Sequence, residues 1–128
     1  MSPRRQSRAA VTPPMGKEHN EAAQFRGGVV AALGGLGSLR ARYGRRIQVA
    51  LRDGGVGVMF EYPSPDDPRA WWSVTVEPVD GPPGGYLLEF YRQRAPGAVP
   101  DLWGRFPLVP PGQLVATFGE NDGMGPDA

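Results

Sequence analysis

The sequence predicts a small α+β domain: an N-terminal helix packed on a four-stranded antiparallel meander sheet, with a short C-terminal helix or edge strand after it. Three observations carry this prediction. Four segments between residues 46 and 92 alternate apolar and polar side chains with period two, as half-buried strands do. An earlier segment repeats its apolar residues at three- and four-residue spacing, as a one-sided helix does. One meander register then brings every apolar strand face to the same side.

The first 19 residues hold Arg4, Arg5, Arg8 and Lys17 among Pro3, Pro13, Pro14 and Gly16, with few apolar side chains. Such a segment cannot bury enough surface to order itself, so residues 1–19 are expected to be a disordered basic arm. A helix is expected over residues 20–43. Asn20 suits the N-cap, and Glu21 places a negative charge in the first turn. Phe25, Val29, Ala32, Leu33, Leu36, Leu39 and Tyr43 form one stripe, and Gly44 suits the C-terminal cap. Gly27, Gly28, Gly34, Gly35 and Gly37 each weaken an isolated helix by about 1 kcal/mol relative to Ala, so tertiary packing must hold it.

Strands are expected over residues 46–52, 56–62, 70–77 and 86–92. Asp53, Gly54 and Gly55 mark the first turn, and the stretches 63–69 and 78–85 are Pro-rich loops. Setting Phe60 opposite Trp72 and Trp72 opposite Phe90 gives three apolar rows: Ile47–Phe60–Trp72–Phe90, Val49–Val58–Val74–Leu88 and Leu51–Val56–Val76–Tyr86. A slip by one residue would turn any apolar set outward. The helix stripe is the natural cover for this face.

Adjacent strand residues face opposite ways, so Trp71 and Trp72 cannot enter the same core. Trp72 falls on the apolar face. Trp71 falls on the other, in the row Arg46–Glu61–Trp71–Tyr91, beside the row Gln48–Met59–Ser73–Glu89. Leu102, Trp103, Phe106, Leu108 and Val109 in the tail need burial. They either fold over this second face or leave it open to a partner. Residues 111–118 suit a short helix started by Pro111, or an edge strand. The order Trp103, Phe106, Pro110, Pro111 and then Leu114–Phe118 resembles, over that short stretch, a Streptomyces domain family of unknown function, and no activity follows from the likeness. The ordered domain is expected over 20–118, with a disordered acidic tail over 119–128.

Composition narrows the function classes. At 128 residues the chain suits one domain with its own core. With no Cys there is no disulfide, thiolate nucleophile or thiolate metal site, and the lone His19 lies in a polar stretch, so neither a cofactor nor a metal is expected. Nineteen Gly and 15 Pro, with Lys17 the only Lys among 14 basic residues, match a GC-rich genome such as that of an actinomycete or its phage. Net charge is +1, yet residues 1–46 carry a surplus of seven positive charges and residues 47–128 a surplus of six negative ones. A basic front and an acidic back suit nucleic-acid contact or association through opposite charges. No apolar run reaches the roughly 20 residues of a membrane span, and a cytoplasmic protein is expected.

These features lead to a non-catalytic interaction or accessory protein that binds a protein partner, or a second copy, through Trp71, Tyr91, Glu61, Arg46 and Met59. The alternative is a nucleic-acid-associated protein holding phosphates through Arg4, Arg5, Arg8, Arg40, Arg42 and Arg45. A third reading, a small enzyme or ligand-binding domain, would need a pocket lined by Glu61, Glu77 or Glu89.

Overall fold

The computed structural model describes residues 13–52, 55–80 and 84–124, with side chains from residue 21 onward. Arg4, Arg5 and Arg8 lie outside the described residues, as does the end of the acidic tail, 125–128. The elements run α1 (Pro13–Ala32), α2 (Gly35–Tyr43), β1 (Gln48–Leu51), β2 (Val58–Pro63), β3 (Trp71–Pro78), β4 (Tyr86–Gln93), β5 (Asp101–Val109), a 3-10 turn (Pro111–Gln113) and α3 (Leu114–Asn121). The class is α+β, and the sheet is a continuous antiparallel meander of five strands in chain order.

The helix expected over 20–43 is two helices. Gly34 and Gly35 adopt positive φ, 101° and 91°, a region closed to most side chains, and the chain turns there. The break re-phases the stripe: Val29, Leu39 and Tyr43 are buried, whereas Leu36 is 40% exposed. At the other end helical backbone begins at Pro13, upstream of Asn20. Pro13 and Pro14 suit this start, because proline fixes a helical φ and the first turn needs no amide donor.

Strands β2, β3 and β4 keep the apolar face expected of them, although Val56, expected at the start of the second strand, lies before β2 and is exposed. Val58, Phe60 and Tyr62 of β2, Trp72, Val74 and Val76 of β3, and Leu88 and Phe90 of β4 are all buried. The register differs by two residues. Val49 pairs with Phe60, Phe60 with Val74, Val74 with Phe90, while Trp72 lies between Tyr62 and Arg92. A two-residue slip leaves every side chain on its own face, so alternation cannot detect it. The connections set it instead. The β2–β3 loop closes through Ser64 N to Ala70 O at 2.8 Å and Ala70 N to Asp67 O at 3.0 Å.

The fifth strand was not expected. Its alternation is broken by slips against β4 between Phe90 and Tyr91 and between Tyr86 and Leu88, with Gly104 and Pro107 inside it. The tail beyond is helical, not an edge strand. Leu114 and Phe118, one turn apart, insert into the core, where the Phe118 ring lies 5.3 Å from Phe60, 5.9 Å from Phe90 and 6.1 Å from Tyr43. All three helices contribute to this one core on one face of the sheet.

Order continues past Phe118, where the sequence placed a boundary. Helix α3 runs to Asn121 and Asp122 is 1% exposed. The Asp122 carboxylate accepts from Arg42 Nε at 2.7 Å, from the Tyr43 hydroxyl at 2.7 Å and from Met124 N at 3.0 Å. The Tyr62 hydroxyl donates to the Asp122 carbonyl at 2.6 Å. Gly123 follows, at φ 80°, and a Cβ there would collide with the Trp72 ring. The last turn thus lies directly on the indole.

Burial first, and the Asp122 carboxylate second, raise the Tyr43 hydroxyl far above the ordinary value of 10; burial does the same for Tyr62. Above pH 10 the unfolded chain releases these protons while the folded chain retains them. Stability is therefore intact below that pH and should fall by about 1.4 kcal/mol per pH unit for each tyrosine as pH rises further. Urea unfolding from pH 8 to 11 checks this, and Tyr62→Phe should flatten the slope. Asp122→Ala removes the carboxylate that three buried or half-buried donors share and should cost about 3 kcal/mol in the same assay.

Candidate functional site

The face of the sheet opposite the helices carries the five residues singled out for partner binding. Met59 and Glu61 come from β2, Trp71 from β3 and Tyr91 from β4, all half-buried, while Arg46 precedes β1 and is exposed. No described element forms a layer over this face. The tail, one candidate cover, instead supplies β5 at the sheet edge and α3 on the other side.

The true register regroups these residues. Trp71 lies between Pro63 and Gln93, and Tyr91 faces Ser73, so the two aromatics are diagonal neighbours rather than opposite partners. Trp71 takes Arg46 instead, whose guanidinium carbon lies 5.0 Å from the indole centroid. A guanidinium over an indole face is attracted by the negative charge of the π-system and shields part of the ring from water. Tyr91 donates its hydroxyl to Glu89 at 3.1 Å, and Arg105 Nε donates to the other oxygen of the same carboxylate at 3.1 Å. Burial and then Glu89 raise the Tyr91 hydroxyl above its ordinary range. Arg52 pairs with Glu77 on the same face. The expected Arg46–Glu61 pair does not form, and Glu61 has no ion-pair partner among the described residues.

Sequence reasoning missed Leu102 and Arg105, because both come from the unexpected strand. Leu102 pairs with Tyr91 and Arg105 with Glu89, which extends the face by one strand. Thr75 sits at its centre, 6% exposed, between Met59 and Glu89, and its hydroxyl has no hydrogen-bond partner among the described residues.

The other candidates separate. Arg40 and Arg45 are exposed near the end of α2, whereas Arg42 turns toward Asp122 and the Gly119 carbonyl. Asp66 accepts from the Ser64 hydroxyl and from Arg92, which hold its carboxyl below the usual range, and Asp67 accepts from Arg69 N at 2.9 Å. Their partners are those of a loop held by side-chain caps. Glu77 and Asp80 border a cleft of about 370 Å³, where Glu77 is already ion-paired with Arg52. Among the described residues no group of three or more His, Cys, Asp or Glu is placed to hold a metal ion. No described helix is long and apolar enough to cross a membrane.

Comparison with known protein families, with curated proteins and with solved structures finds no match to this chain. What the chain does is therefore argued from its own residues.

The two neighbouring tryptophans provide a direct check of the two faces. Trp72→Ala should cost about 3–5 kcal/mol, as deletion of a buried ring does. Arg46→Ala should cost no more than about 1 kcal/mol, the range of an exposed cation–π contact. Trp71→Ala should fall well below the Trp72 value. Equal losses at 71 and 72 in urea unfolding would show that both faces are core.

Proposed function

We propose that this chain is a non-catalytic interaction protein that docks a protein partner on the outer face of its sheet. The observation that carries the reading is the Arg46–Trp71 stack on a face that no described element covers. Aromatic and arginine side chains held together at an open surface are the usual anchors of protein interfaces. The surrounding charges favour a protein over a nucleic acid. Arg46, Arg52 and Arg105 are balanced on this face by Glu61, Glu77 and Glu89, so it offers no net attraction to phosphates. Two of the three carboxylates already hold their arginines. The partner that fits is a flat surface with an apolar centre for Trp71 and Met59 and one basic group for Glu61.

The test is photo-crosslinking in the source cell from a benzoyl-phenylalanine placed at Met59. One specific adduct is expected, lost in Trp71→Ala and Arg46→Ala and retained in Trp103→Ala, which lies on the other side of the sheet. No adduct, or an adduct that Trp71→Ala leaves unchanged, would overturn the reading.

A further inference from the structure

A second feature lies on the helix side of the sheet, away from the face just described. At the slip between Phe90 and Tyr91, Gly104 pairs with Phe90 and Leu102 with Tyr91, so Trp103 between them has no partner on β4. A bulge of this kind re-aims a side chain. Here it brings the Trp103 indole to 5.5 Å from Trp72 at 67°, a right-angled aromatic corner. Yet Trp103 remains 63% exposed, so the bulge places the ring without burying it. The corner is one wall of a cleft of about 530 Å³, with Phe90 in its lining and Asp66, Arg92 and Glu120 also bordering it. That size suits a small ligand or a single side chain.

The charges of the cleft decide what it takes. Arg92 is matched by Asp66 at 3.4 Å. Glu120 is exposed and has no ion-pair partner among the described residues. The cleft therefore joins the exposed Trp103 indole, set against the largely buried Trp72 ring, to one unmatched carboxylate. Indole is the strongest of the aromatic side chains in attracting a cation to its face, and Glu120 adds a counter-charge. We propose that the Trp72–Trp103 cleft binds an organic cation, an alkylated ammonium or a guanidinium. The group is either a free small molecule or the side chain of a peptide.

Tryptophan fluorescence of the full chain during titration tests this. The probes are tetramethylammonium, N-acetyl-trimethyllysine amide and N-acetyl-arginine amide, with neopentyl alcohol as the neutral analogue. A saturable spectral change with a cation is expected, at least tenfold weaker with neopentyl alcohol. Glu120→Gln should weaken it at least threefold and Trp103→Ala should abolish it. Both positions are exposed, and unchanged circular dichroism and Tm identify variants that remain folded. Tenfold tighter binding of an amino-acid amide than of tetramethylammonium assigns the site to a peptide side chain; equal binding assigns it to a free cation, and both support the proposal. No saturable change, equal binding of neopentyl alcohol, or full binding by folded Trp103→Ala would overturn it. Because Trp71 and Arg46 lie on the other face, a failure here leaves the docking reading standing, and the reverse also holds.

Discussion

Asp122 is the point on which elements distant in the sequence meet. Its side chain draws in Arg42, 80 residues earlier, and Tyr43, while its carbonyl takes the Tyr62 hydroxyl. One buried residue thus ties together the end of α2 and the last turn of α3 through its carboxylate, and the core face of β2 through its carbonyl. A buried charge persists only where its lone pairs are satisfied, and here three donors reach the carboxylate. The aromatic cluster around Phe118 follows from this tie, because α3 is held to the sheet at both its start and its end. Leu114 anchors the start and Asp122 the end.

Among the described residues the sheet is covered on one side only, and β3 shows most clearly what that means for function. Alternate residues of this strand face two environments. Trp72, Val74 and Val76 are buried on the helix side, whereas Trp71, Ser73 and Glu77 are half-buried on the other, beside Pro63, Gln93, Glu61, Tyr91 and Leu87. Arg46 shields part of the half-buried Trp71 from water, since its guanidinium lies over the ring. The charges beside it are paired across strands, Arg52 with Glu77 and Arg105 with Glu89, so little electrostatic reorganisation stands between this face and a partner.

Much of this was legible in the sequence, and what was not has physical causes. The faces of β2, β3 and β4 followed from period-two alternation, and the separation of Trp71 from Trp72 followed from the faces. The register did not, because sliding by two residues preserves every face and only the loop hydrogen bonds distinguish the choices. Trp71 was therefore placed beside Tyr91 when its true companion is Arg46. The fifth strand was hidden because its two slips, with Gly104 and Pro107, destroy the alternation that marks a strand. The break at Gly34 and Gly35 was visible as a glycine pair, but spacing alone carried the apolar stripe across it. Asp122 left no local signal at all. Within a stretch of Gly, Asn and acidic residues it reads as solvated tail, and its partners are distant in sequence.

The irregularity of β5 has a consequence for how many copies of this chain can share a cell. Its outer side is the rim of an open sheet and carries Leu102, Trp103 and Leu108 in exposed positions. A straight strand with those side chains would be a template for strand-by-strand stacking of further copies. Two slips and a proline interrupt the run of amides that such stacking requires. The same backbone defect that turns an indole outward also denies the rim to polymer growth. The rim is thus apolar yet poorly shaped for strand-by-strand growth.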